Sequence, residues 1–111
     1  ARDYTYIDDI MDCMLKSVKF VKDNTEKGKK IYEIFNVGES NTVKLNYLIE
    51  LIEKSMNMTA KKIHLPNQMG DVPRTYADIS KAKQILGYNP RTKIEDGIPK
   101  FAEWFLEMKN S

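Results

Sequence analysis

An irregular polar stretch from Gly70 to Tyr88 carries the side chains best suited to ligand binding. Gly70 permits a sharp bend, and Pro73 keeps the residue before it extended. Asp71, between them, is suited to accept hydrogen bonds from the paired hydroxyls of a ribose or sugar, and Arg74 is suited to pair a ligand anion. Both residue types also occur in ordinary loops, as a turn-stabilising aspartate and a surface ion pair. Residue types therefore nominate Asp71 and Arg74 without excluding a structural role.

The opening residues and Gln68 add three further candidates. Arg2 could hold a phosphate through a forked, charge-assisted contact, and Tyr4 could donate a hydroxyl hydrogen bond. Gln68 could bond to a ligand amide or hydroxyl. The structural alternatives are a free terminal arginine, a tyrosine packed in a sheet and a solvated loop glutamine. Two of the three arginines, Arg2 and Arg74, lie in these motifs, which favours a specific anionic ligand over a general nucleic-acid surface.

No combination of residues in the sequence assembles an active site. The Asp8–Asp9 pair begins a helical pattern and is interpreted as a helix cap rather than a carboxylate dyad. His64 has no cysteine or histidine at metal-binding spacing, so we expect a structural histidine in a strand and no metal site. Cys13 lies off the apolar stripe of its helix and is interpreted as packing. Since there is also no Gly-x-Gly-x-x-Gly fingerprint, we predict no catalytic residue and no cofactor-binding residue in this chain.

Composition limits the class of protein. The chain has 111 residues, 41% hydrophobic and 31% charged, with a formal net charge of +2. This balance is typical of one soluble globular domain, or part of one. No apolar run approaches the roughly 20 residues that cross a bilayer. With one cysteine and no visible signal peptide, a cytoplasmic setting is expected. Lysine and acidic residues interleave, so no basic stripe indicates nucleic-acid binding.

Four helices are predicted from apolar spacing and capping residues. The first covers about residues 9–23. The second begins somewhere between Thr42 and Leu45 and ends at about residue 56. The third covers about residues 81–86, and the last begins at a Thr92–Glu95 capping pair. Ser80 is expected to cap the third helix and Gly87 to end it. Pro99 removes a backbone donor from the last helix. We therefore expect a kink at Pro99, or a helix that begins near Ile98.

Three extended segments are also predicted: Tyr4–Ile7, as a short strand or an extended entry to the first helix, and Ile31–Val37 and Lys62–Leu65, as short strands. The second is almost wholly apolar, which fits a strand covered on both faces, as in a parallel sheet. Helices alternating with strands indicate a mixed α/β fold. A sheet of three short strands would leave exposed edges, so we expect the chain to be a fragment whose other part is missing.

The motifs occur in an order that resembles the C-terminal part of the extended short-chain dehydrogenase/reductases, a family of NAD-dependent nucleotide-sugar epimerases and dehydratases. The motifs are Arg2-Asp3-Tyr4-Thr5-Tyr6-Ile7-Asp8-Asp9, Ile34-Phe35-Asn36-Val37-Gly38, Gly70 to Asp78, Leu86-Gly87-Tyr88 and Trp104. The resemblance is greatest to UDP-glucuronate 4-epimerases. Many galactose-type epimerases carry arginine two residues before the Gly-Asp pair, whereas this chain has Gln68, which favours the glucuronate-type branch. Dehydratases and decarboxylases share much of the remaining pattern.

The resemblance implies that residues 1–111 are a single nucleotide-sugar-binding fragment, whose absent N-terminal Rossmann domain holds NAD and a Tyr-x-x-x-Lys catalytic pair. It implies that Arg2 contacts the UDP diphosphate with Tyr4 nearby, and that Asp71 lies near the uridine ribose. It also implies that Ile31–Val37 is normally the last strand of the Rossmann sheet. Family chemistry would remove a hydride from C4 of the sugar, rotate the keto sugar and return the hydride to its other face.

Two functions follow as hypotheses. The first is the UDP-sugar-binding part of an NAD-dependent 4-epimerase, inactive alone, or the equivalent part of a dehydratase or decarboxylase. The second is a stand-alone, non-catalytic binding or interaction module. In the first case the missing part of the enzyme would no longer cover the apolar faces of the first helix and of Ile31–Val37. We therefore expect self-association, swapping or local disorder at these faces.

Overall fold

The computed structural model describes residues 1–110 and has a mixed α/β architecture of four helices and one small sheet. Strand β1 (Arg2–Asp3) precedes helix α1 (Ile7–Glu26), and strand β2 (Thr42–Val43) precedes helix α2 (Leu45–Met56). The short helix α3 (Ser80–Leu86) and helix α4 (Ile94–Lys109) complete the order. The predicted fold class and the four predicted helices are confirmed.

The strand predictions at Ile31–Val37 and Lys62–Leu65 are wrong, because neither segment forms a strand among residues 1–110. For Tyr4–Ile7 the predicted alternative of an extended entry agrees with the structure, since Tyr6 is extended and leads directly into α1. The sheet lies just before it and pairs Arg2 with Val43 and Asp3 with Thr42 in antiparallel register. A strand is defined by hydrogen bonds to a neighbour, so an apolar sequence alone cannot make one. His64 is accordingly exposed rather than held in a strand.

The helix ends differ from the predicted caps. Tyr6, Ile79 and Lys93 occupy the N-cap positions of α1, α3 and α4, and none of them makes a side-chain capping bond. Predictions of caps at Asp8 or Asp9, at Ser80 and at a Thr92–Glu95 pair are therefore wrong. The predicted stop at Gly87 is confirmed, because this residue adopts φ +71° in the left-handed region.

Helix α4 runs through Pro99 rather than beginning near Ile98. The proline lies in the second turn, where its missing N–H leaves the Glu95 carbonyl without its usual helical partner. Glu95 instead joins α4 to α2 through its side chain, which accepts a hydrogen bond of 2.9 Å from the Tyr47 hydroxyl.

The core lies between α1, α3 and the segment that follows α3. Its buried apolar members are Cys13, Ile79, Ala82 and Tyr88, with Phe35, Val37, Ala77 and Leu86 packed around them. The prediction that Cys13 serves packing is confirmed: its thiol is buried, and burial raises its pKa above the ordinary value.

The apolar stripe of α1 faces away from this core. Ile7, Leu15 and Val18 are each about two-thirds exposed, at 64%, 68% and 67%. The helix packs inward with another face, on which Asp9 and Cys13 are buried. Tyr32 and Ile34 of the extended segment are also exposed, which confirms the expectation that these two surfaces lack cover.

The chain is less compact than a typical domain of its length. The radius of gyration is 17.8 Å, whereas a compact domain of this length has roughly 13 Å. No helix within residues 1–110 has the length and apolar character needed to cross a membrane.

Candidate functional site

A cleft of about 530 Å³ lies where β1 meets the irregular segment that follows residue 66. We refer to residues 67–78 as the arm. Three of the five predicted binding residues, Arg2, Tyr4 and Asp71, line this cleft. The remaining lining residues are Ala1, Val43, Leu45, Asn67, Val72 and Pro73. The cleft thus combines a cation, a phenol and a carboxylate with apolar walls, the composition of a site for a polar ligand with a flat or apolar portion.

Arg2 and Asp71 are in direct contact across the cleft. The Arg2 Nη2 atom lies 2.6 Å from Asp71 Oδ1, and Arg2 Nη1 donates to the Ala1 carbonyl at 3.1 Å. Both side chains remain partly exposed, at 32% and 55%. An exposed pair of this kind contributes at most about 1 kcal/mol to stability. The pair therefore matters more as a preformed arrangement of ligand-binding groups than as a source of fold stability.

The Asp3 carboxylate holds the arm beside β1. Its Oδ1 atom accepts the Glu39 N–H at 3.1 Å, and its Oδ2 atom accepts the Ser40 and Ala77 N–H groups at 3.0 and 3.1 Å. The Asp3 N–H in turn donates to the Thr75 Oγ1 at 3.0 Å. One side chain thus joins β1, the turn at residues 38–40 and the arm. Sequence reasoning missed this role, although Asp3 lies inside the opening motif.

Close packing at Gly38 completes this junction. A Cβ atom at Gly38 would lie 2.6 Å from the Ala77 Cβ and 3.0 Å from Asp3 Oδ2, so only glycine fits without displacing the arm. The Gly38 carbonyl accepts a hydrogen bond of 2.7 Å from the buried Tyr88 hydroxyl. The resemblance motifs around Gly38 and Tyr88 therefore converge on one contact.

Glu39 adds an unusual electrostatic feature beside this junction. Its Oε2 atom is buried and has no hydrogen-bond partner. Burial, followed by the nearby Asp9 and Asp3 carboxylates, raises the pKa of Glu39 to about 7. Asp9 is itself satisfied, since its two oxygens accept the Arg91 and Thr92 N–H groups at 3.1 Å each. Burial near two carboxylates therefore favours the protonated form of Glu39.

The other predicted binding residues lie outside the cleft. Gln68 is exposed, and its carbonyl accepts the Asp71 N–H in the turn at 3.2 Å. The Arg74 guanidinium lies over the Tyr76 ring at 5.3 Å rather than in the cleft. Asp78 bonds locally as expected: it accepts the Ser80 N–H and hydroxyl at 3.0 and 2.6 Å, and the Ser80 hydrogen bonds lower its pKa.

Asn67 also lines the cleft, although it was not predicted as a binding residue. The one indication in the sequence was that it directly precedes Gln68, which was predicted. No glycine-rich turn leads into a helix within residues 1–110. Within the same residues, no group of three or more histidine, cysteine, aspartate or glutamate side chains is arranged to hold a metal ion.

Comparison with known proteins identifies the family of this chain. The model of a family described as GDP-mannose 4,6 dehydratase matches residues 1–101. The chain is 52% identical over 109 residues to an uncharacterised protein of Methanocaldococcus jannaschii, covering 98% of this chain and 31% of that protein. It is 40% identical over 113 residues to UDP-glucuronate 4-epimerase 1 of Arabidopsis thaliana, covering 96% and 26%.

A solved structure gives the same result. The crystal structure of UDP-glucuronic acid 4-epimerase from Bacillus cereus, in complex with UDP-glucuronic acid and NAD, superposes with a TM-score of 0.78 and 29% identity, covering 96% of this chain and 32% of that one. The chain spans about a third or less of the length of these proteins. It belongs to the NAD-dependent epimerase/dehydratase family of extended short-chain dehydrogenase/reductases and corresponds to their C-terminal portion.

Proposed function

We propose that residues 1–111 are the nucleotide-sugar-binding portion of an NAD-dependent UDP-sugar 4-epimerase of the UDP-glucuronate type. The observation that carries this proposal is the cleft that brings Arg2, Tyr4 and Asp71 together. Arg2 would bind the diphosphate, Tyr4 would donate to it, and Asp71 would accept from the ribose hydroxyls. The identity to a plant UDP-glucuronate 4-epimerase supports the choice of sugar.

Gln68 and Arg74 hold a secondary place in this proposal. Both are exposed residues of the arm, outside the lining of the cleft. Gln68 can bond to a hydroxyl or amide without neutralising phosphate. Arg74 would first have to leave the Tyr76 ring.

Catalysis would require an N-terminal Rossmann portion that this chain does not include. NAD bound by that portion would supply the hydride acceptor for oxidation at C4 and the donor for its return. The residues of this chain would bind and orient the UDP moiety, and none would transfer a proton or hydride. The polypeptide alone should therefore show no epimerisation of UDP-glucuronate.

The exposed face of α1 supports the same division of the enzyme. Ile7, Leu15 and Val18 form part of an apolar surface that the N-terminal portion would cover in a cytoplasmic, full-length enzyme. In the absence of that cover, this surface should drive reversible self-association. A second candidate function, a stand-alone interaction module, is favoured by the same apolar surface.

The experiment that separates these functions is titration with UDP, UDP-glucuronate and UDP-galactose, followed by NMR. UDP and UDP-glucuronate should shift the amide signals of Arg2 and Asp71. Arg2→Lys should weaken binding because lysine cannot provide the forked contact, whereas the matched change Arg91→Lys, outside the cleft, should leave it unchanged. Absence of any shift at millimolar UDP would favour the interaction module.

A further inference from the structure

We propose that Asp3 is a positioning residue for UDP-sugar binding, acting through the arm to keep Asp71 opposite Arg2. This inference rests on the proposed function for its ligand, but its structural part concerns the free protein. The starting observation is that one carboxylate accepts backbone amides from two segments distant in sequence, at Glu39 and Ser40 and at Ala77.

The arm has three other attachments near the cleft. Beyond the bonds to Asp3, the Ala1 amino group donates to the Pro73 carbonyl at 2.7 Å, the Thr75 N–H donates to the Ala1 carbonyl at 3.1 Å, and the Ser40 hydroxyl donates to the Ala77 carbonyl. Residues 67–74 of the arm are exposed. The position of Asp71 is therefore set by attachments on its C-terminal side, at Pro73, Thr75 and Ala77, and Asp3 supplies those at Thr75 and Ala77 that come from a residue of β1.

Arg2 and Asp3 are neighbours in β1, so the same strand that presents the guanidinium also holds the arm. Side chains of adjacent strand residues point to opposite sides. Arg2 accordingly faces the cleft while Asp3 faces the turn at residues 38–40. Loss of the Asp3 carboxylate would leave Arg2 in place, and it would loosen the arm that carries Asp71 by removing the bond to the Ala77 N–H.

Asp9 provides a matched control. It also accepts two backbone amides across the molecule, from Arg91 and Thr92, but it does not line the cleft or contact the arm. Asp3→Ala and Asp9→Ala each remove both accepting oxygens. Both variants should lose stability, but only Asp3→Ala should change the contact between Arg2 and Asp71.

The first measurement follows the Arg2 Nε–Hε signal in the free protein. Asp71→Ala defines the signal of an unpaired Arg2. Asp3→Ala should move the signal toward that position, and Asp9→Ala should leave it unchanged. If Asp3→Ala leaves the signal in its original place, the inference is wrong.

The second measurement is a double-mutant cycle on UDP affinity. Asp3→Ala should raise the Kd about tenfold, the effect of losing one charge-assisted contact. If Asp3 acts through Asp71, the Asp3→Ala/Asp71→Ala double variant should bind no more weakly than the worse single variant. Additive effects would show that Asp3 acts independently of Asp71 and would overturn the inference.

A further variant protects the test against misfolding. Thr75→Val removes only the acceptor of the Asp3 N–H, and the side chains have similar volumes. It should shift the Arg2 signal partially in the same direction. If the unchanged chain does not bind UDP, the proposed function fails for this polypeptide, whereas the Arg2 signal still decides whether Asp3 positions the arm.

Discussion

Ionisation of Glu39 should make this protein less stable as the pH rises from about 5 to 8. Folding raises the pKa of Glu39 from 4.5 to about 7, so between these values the native state binds a proton more tightly than the unfolded state. The contribution of this group to stability is therefore fully present below pH 4.5 and is lost as the pH rises through 7. The ionised form is disfavoured because it is buried and lies near the Asp9 and Asp3 carboxylates.

The size of the effect can be bounded. Each tenfold change in proton affinity is worth about 1.4 kcal/mol, which sets an upper limit of about 3 kcal/mol for the full change at Glu39. Because the side chain is only partly buried, solvent screening reduces the expected loss to about 1–2 kcal/mol. The side chain cannot ionise in the Glu39→Gln variant, so the unfolding free energy of this variant should not fall in this way as the pH rises.

Urea unfolding at intervals between pH 4.5 and 8.5 measures the effect. The difference in unfolding free energy between Glu39→Gln and the original protein should change by about 1–2 kcal/mol in favour of the variant as the pH rises. Glu103→Gln, at an exposed position of α4, controls for loss of one negative charge. Parallel pH profiles for Glu39→Gln and the original protein would refute the reasoning.

Three further predictions concern packing and surface. Gly38→Ala should destabilise the protein by about 1–3 kcal/mol in urea unfolding, because the new methyl overlaps Ala77; an unchanged midpoint would contradict the close contact. Tyr88→Phe should cost about 1–2 kcal/mol by the same assay, since it removes the hydroxyl that donates to the Gly38 carbonyl; unaltered stability would show that water replaces this hydroxyl. Val18→Ser should reduce the expected self-association, measured by analytical sedimentation, without lowering stability. The control Lys19→Ser should leave self-association unchanged. If the two variants associate equally, the associating surface lies elsewhere.

The helices could be predicted from sequence because their apolar spacing is a local property. The predicted bounds of the second helix agree with those of α2, and Gly87 correctly predicts the end of α3. The caps could not be predicted, since the carboxylate of Asp9 bonds to Arg91 and Thr92 rather than to its own helix. Such long-range partners leave no trace in the spacing of neighbouring residues.

The strands illustrate a different limit. Ile31–Val37 has the composition of a doubly covered strand, yet no partner strand lies beside it among residues 1–110. Strand formation depends on a neighbour, so composition reports what a segment is suited for rather than what it pairs with. The site shows the same contrast: Arg2, Tyr4 and Asp71 were identified by residue type, whereas Asp3 and Asn67 emerged only from the three-dimensional arrangement.

The hydrogen bond between Asp3 and Ala77 has a consequence for the order of folding. It joins residues 74 positions apart in the chain, and closing so large a loop carries an entropic cost that short-range helices avoid. Proteins dominated by such non-local contacts fold more slowly than proteins rich in local contacts. We therefore expect α1 and α2 to form before the bond between Asp3 and Ala77 closes the loop between them.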